Sequence, residues 1–111
     1  MWIAQAYESI NNPRMDSLPL GHSLDDVAAR LTLLREIHGD TQRAFADRVG
    51  IKPTAWNNYE RSQRLIRIQE ARKLVNLFGV TTDWIFYGDL KGMPYDLVAR
   101  LVERAALRQS A

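Results

Sequence analysis

An all-α fold is predicted, on three observations. Apolar residues recur at helical spacing across residues 24–108, with no sustained alternation of the kind a strand needs. Capping residues (Ser23, Thr41, and Thr81 or Thr82) stand at the starts of the periodic segments. Glycines (Gly39, Gly50, Gly79, Gly88) stand at their ends, where a left-handed residue closes a helix. The architecture expected is a five-helix helix-turn-helix domain with an added C-terminal amphipathic helix. The domain spans residues 23–88, preceded by a flexible extension over 1–22 and followed by a linker and helix over 89–111.

Residues 1–22 show no sustained period and carry breakers at Asn11-Asn12-Pro13 and Pro19-Leu20-Gly21. Trp2, Ile3 and Tyr7 offer a short apolar patch for docking, or belong to a mobile tail; the second is expected. Met15 is an alternative translation start. Helix one is predicted over 24–38. Ser23 and Asp26 have capping-box spacing, with Asp for the usual Glu. Its inner stripe is Leu24, Val27, Ala28, Leu31, Leu34 and either Ile37 or His38. Thr41 caps helix two, whose inner residues are Phe45, Ala46 and Val49, and Gly50 permits the tight turn after it.

Helix three is predicted over 53–60. Pro53 suits its first turn, where the missing N–H has no partner to lose. Ala55, Trp56 and Tyr59 form its inner side, leaving Thr54, Asn57, Asn58 and Arg61 outside. Ile68, Ala71, Leu74, Val75, Leu77 and Phe78 mark helix four at about 67–78. A short fifth helix holds Trp84, Ile85 and Phe86. Pro94 opens a last helix over about 94–108, with Asp96 near its start and Arg104 and Arg108 near its end, as the helix dipole favours.

The 111 residues are 46% hydrophobic and 25% charged, ordinary for a globular protein. No apolar run approaches the ~20 residues needed to cross a bilayer, and no signal peptide is expected from the first residues. Without cysteine the chain has neither disulfides nor thiolate metal sites. Net charge is only +2, but it is uneven. Residues 41–73 hold eight basic and three acidic side chains, so the remainder is net negative. Basic charge around a polar helix is the footprint of a phosphate-binding surface.

Four stretches, RLTLLREIHGDTQ (30–42), AFADRVGI (44–51), NNYER (57–61) and LFGVTTDWIFYG (77–88), resemble the phage-repressor-like helix-turn-helix family of the Cro/XRE type, in its order and spacing. The resemblance implies a transcriptional regulator that binds duplex DNA with its third helix in the major groove. It places Gln42, Arg43, Arg61 and Arg64 at backbone phosphates, and Lys52, Pro53, Thr54, Asn57 and Asn58 at the bases. Arg67, in the same basic stretch, is expected to join the phosphate contacts by its charge. It implies a salt bridge between Arg35 and Glu60. Lys52 stands where the family usually has a capping serine, and Ser62 where it usually has glycine. Pro53 fills a reading position with no donor and can offer only apolar contact, to a thymine methyl for example.

Asparagine carries a donor and an acceptor side by side, matching adenine N6 and N7. Asn57 and Asn58 are therefore the foremost base readers expected, with Thr54 and Lys52 next. The arginines supply affinity that falls with salt. The last helix must bury its stripe against its own domain or a second copy. Pairing of two copies through Leu97, Val98, Leu101 and Val102 is expected, setting half-sites ~34 Å apart. The function expected is a cytoplasmic repressor that binds an inverted repeat in double-stranded DNA as a homodimer. The alternative is an antitoxin or protein-interaction module of the same fold, with a toxin or other protein as partner. His22 and His38 lack metal-ligand spacing and no glycine-rich phosphate loop is present, so no catalysis, cofactor, metal or membrane role is expected.

Overall fold

A computed structural model describes residues 17–110. Trp2, Ile3, Tyr7 and the start at Met15 lie outside the described residues. Six helices and no strand occur among those described: α1 (Leu24–Ile37), α2 (Gln42–Val49), α3 (Pro53–Glu60), α4 (Ile68–Phe78), α5 (Thr82–Tyr87) and α6 (Tyr95–Ser110). The fold is the all-helical one the sequence predicts, with the extra C-terminal helix. Among the described residues, no helix is long and apolar enough to cross a membrane.

Capping chemistry sets the boundaries. Ser23 Oγ accepts from Asp26 N–H at 3.0 Å, and Asp26 Oδ2 accepts from Ser23 N–H at 3.2 Å, completing the box. Thr41 and Thr81 accept from the N–H groups of Ala44 and Trp84. Gly50, Gly79 and Gly88 close α2, α4 and α5 in the left-handed conformation.

α1 is the central element and packs against α3, α5 and α6. Val27, Ala28, Arg30, Leu31, Leu33 and Leu34 are buried, covering roughly 220° of its circumference at 100° per residue. A single amphipathic stripe accounts for only part of that arc, which is why Leu33 escaped the sequence reading. Leu24, expected inside, is exposed at 38%.

The second buried face of α1 exists because α6 folds back on it. Leu97, Leu101, Val102 and Ala105 are buried within the single chain and Val98 is packed against the core. Full burial of a leucine such as Leu101 contributes about 1.5–3 kcal/mol. This corrects the expectation that Leu97, Val98, Leu101 and Val102 pair two copies: the stripe is already covered by its own domain. Polar contacts fix the register. Arg100 Nη2 donates to the Ile37 carbonyl at 2.8 Å, satisfying an orphan acceptor at the end of α1. Arg104 and Arg108 approach Glu36 at 3.2 and 3.5 Å.

A second correction concerns the extension. Its described part, residues 17–22, is tied to the body. Leu18 is buried, and the fully buried Arg30 gathers three carbonyls: Ile85 at 3.0 Å, Pro19 at 2.6 Å and Gly21 at 2.6 Å. Burial pushes the Arg30 guanidinium below its ordinary pKa, yet three acceptors satisfy a charge that has no buried carboxylate beside it among the described residues. Gly88 must be glycine here, because a Cβ would lie 2.9 Å from Arg30 Nη1 at a φ of +76°.

Candidate nucleic-acid interface

The site is built on α2, the turn at Gly50 and α3. Phe45, Ala46 and Val49 bury the inner side of α2, and Ile51 plugs the turn. Gly50 has φ +80°, and its N–H and that of Ile51 both reach the Ala46 carbonyl at 2.9 Å. Lys73 Nζ donates to the Gly50 carbonyl at 2.6 Å, so α4 braces the turn. α3 begins at Pro53 with Lys52 as a residue that caps nothing.

Trp56 anchors α3. It is fully buried, 4.9 Å from Phe45 and edge-on to Tyr59 at 6.4 Å between ring centroids. With Trp56 and Tyr59 inward, Thr54 and Arg61 lie roughly opposite, and Asn57 and Asn58 flank them. Lys52, Thr54 and Arg61 are exposed, while Pro53, Asn57 and Asn58 are half-buried. The expected reading residues thus share one side of the helix.

α3 ends at a turn that Ser62 makes with φ +60°, a region where an L-residue is strained. The Gln63 N–H returns to the Asn58 carbonyl at 2.9 Å. Tyr59 donates its hydroxyl to Glu70, and burial, then that carboxylate, push it up to about 12.

Glu60 is the hub behind the exposed side. Its Oε2 accepts from Arg35 Nε at 2.7 Å and from the Trp56 indole. Its Oε1 accepts from Arg35 Nη2 at 3.0 Å and Gln42 Nε2 at 3.0 Å. Thr32 Oγ1 lies 3.1 Å from the same oxygen and 3.0 Å from the Ala28 carbonyl, sharing one proton between them. Burial raises the Glu60 carboxyl, but hydrogen bonds from Arg35, Gln42 and Trp56 outweigh it and hold the group below its ordinary pKa. The same pairing raises Arg35. Arg35 and Glu60 are therefore brought together as the resemblance implies. The sequence did not foretell that Gln42 and Trp56 join them.

Gln42 goes further, since its Oε1 accepts from Asn57 Nδ2 at 2.7 Å. The side chain expected at a phosphate thus bridges α2 and α3. No local sequence signal links residues 15 and 18 positions apart.

Among the described residues, Arg30, Arg35, Arg48, Lys73, Arg100, Arg104 and Arg108 each bond a carbonyl or carboxylate inside the chain, while Arg72 on α4 and Lys91 after α5 are exposed and form no ion pair. Arg43, Lys52, Arg61, Arg64 and Arg67 are exposed and form no ion pair among the described residues. Those five stand at the starts of α2, α3 and α4 and in the loop between α3 and α4. No cluster of His, Cys, Asp or Glu among the described residues is suited to a metal ion.

This arrangement defines a helix-turn-helix protein. A family model described as Helix-turn-helix matches residues 31–85, and the chain belongs to the Cro/C1-type helix-turn-helix family of DNA-binding regulators. No curated protein and no solved structure matched the chain.

Proposed function

We propose that the chain is a cytoplasmic repressor that binds an inverted repeat in double-stranded DNA as a homodimer, with α3 in the major groove. One observation carries the reading of α3: five exposed cations without ion pairs among the described residues stand at the starts of α2, α3 and α4 and in the loop after α3. Outside this set, only Arg72 and Lys91 among the described lysines and arginines likewise bond no carbonyl or carboxylate. Phosphate oxygens are the natural partners for such a set.

In this reading Arg43, Arg61, Arg64 and Arg67 hold backbone phosphates, joined by the second N–H of Gln42. Lys52, Thr54, Asn57 and Asn58 face base edges, and Pro53 offers apolar contact. Because the α6 stripe is spent within the chain, two copies would meet through another surface. Leu20 and Tyr87, 58% and 64% exposed, are apolar side chains available for it. Repression requires only that the bound protein occlude its site.

Selection of bound duplexes from a random pool tests this. An enriched motif in two inverted halves about one helical turn apart supports a dimeric reader. A single half-site removes the dimer, and an unenriched pool removes sequence-specific binding.

A further inference from the structure

The hydrogen-bond chain behind α3 has a direction. Glu60 is ionised and surrounded by donors, so it can only accept. Gln42 must therefore turn its Nε2 toward Glu60, which turns its Oε1 toward α3. Asn57 must answer with an N–H, and its Nδ2 lies 2.7 Å from that oxygen. One amide proton of Asn57 is thus committed inside the protein. Its Oδ1 and one remaining N–H are left for a ligand.

Resting on the DNA-reading role proposed for α3, we infer that Glu60 and Gln42 are positioning residues that fix the polarity of the Asn57 amide and make it read adenine against guanine. Adenine offers the N7 acceptor and the N6 donor, matching one N–H and one oxygen. Guanine offers two acceptors, N7 and O6. An asparagine free to turn could meet them with both of its amide protons, but an asparagine anchored to Gln42 has only one to give. Asn58 makes no side-chain hydrogen bond among the described residues and lacks this constraint. The two neighbouring asparagines are therefore unequal readers, and Asn57 is the selective one.

The test uses the full chain and the duplex selected from a random pool, together with duplexes in which each adenine of the motif is changed in turn to guanine. Wild type, Asn57→Ala and Gln42→Met are compared by equilibrium binding, with helix content checked by circular dichroism. Gln42→Met keeps the length of the side chain and leaves Glu60 its Arg35 and Trp56 partners.

Wild type is expected to prefer adenine by about tenfold or more at one position per half-site. Asn57→Ala and Gln42→Met should both erase that preference at that position and keep it elsewhere. The inference is overturned if Gln42→Met weakens every duplex equally while the preference persists, because Gln42 is then a phosphate ligand only. It is equally overturned if Asn57→Ala leaves every preference intact, or if Gln42→Met loses its helix content, since the residue is then structural. A wild-type protein that enriches no motif instead removes the DNA-reading role itself.

Discussion

Glu60→Gln probes the hub most sharply. The amide must put its NH₂ where one carboxylate oxygen was. At Oε1 it would oppose donors from Arg35 and Gln42, with Thr32 alongside. At Oε2 it would oppose Arg35 and Trp56. Either placement loses at least two bonds and sets donor against donor. A buried group left unsatisfied costs ~1–3 kcal/mol, and stranding one partner of a buried ion pair costs ~3–5 kcal/mol. The Glu60 side chain is 4% exposed but that of Arg35 is 17% exposed, so water recovers part of the loss. About 3 kcal/mol is the expected cost, a large share of the ~5–15 kcal/mol that stabilises a typical domain. Thermal melting by circular dichroism should show Tm falling by roughly 10 °C or more, with DNA affinity weakened by the loosened α3. An unchanged Tm together with unchanged affinity would refute the assignment of Glu60 as a structural hub.

The other predictions follow from single features. Leu101→Glu places a charge at a fully buried site between α6 and α1; Tm should drop sharply, and a variant with wild-type Tm whose only change is a smaller oligomer would instead support pairing through α6. Ser62→Gly relieves a φ of +60°, and chemical denaturation should show a gain of roughly 0.5–1 kcal/mol after the extra freedom of the unfolded glycine is counted. His38 packs tilted against Phe78 at 4.5 Å between ring centroids, with Nε2 buried and without a hydrogen-bond partner among the described residues. Burial, then Arg100 and Arg48, depress its pKa, only partly offset by Asp40. The unfolded histidine takes up a proton before the folded one, so its contribution is intact above the ordinary value near 6.5 and is lost as pH falls through the folded pKa. Stability measured from pH 7 to 5 should decline, and His38→Phe should flatten that decline; an identical slope in the variant would remove His38 as its source.

Much of the fold was legible because helix ends are written in local chemistry. Ser23, Thr41, Thr81, Gly50, Gly79 and Gly88 mark boundaries that need no knowledge of distant residues. The side of α3 was legible for the same reason, since Trp56 and Tyr59 can face only inward. What the sequence hid depends on tertiary context. Arg30 looks like surface charge until residues 17–22 fold across it and supply carbonyls. Leu33 looks like an outlier until α6 covers the second side of α1. The α6 stripe is equally suited to a second copy or to its own domain, and periodicity cannot separate the two. The Gln42 bridge joins side chains from separate helices, and its polarity comes from a carboxylate neither helix pattern reveals.

Arg43, Arg61, Arg64 and Arg67, exposed and without an ion pair among the described residues, form the phosphate footprint in the proposed reading. Equilibrium binding to the selected duplex across a salt series tests it most directly. With Arg43, Arg61, Arg64 and Arg67 each neutralising one phosphate, the logarithm of affinity should fall against the logarithm of salt with a slope of about −3.6 per protomer. Each Arg→Ala substitution at those positions should reduce the slope by about one. A slope near zero, or one that none of the four substitutions changes, would rule out phosphate contacts at these arginines.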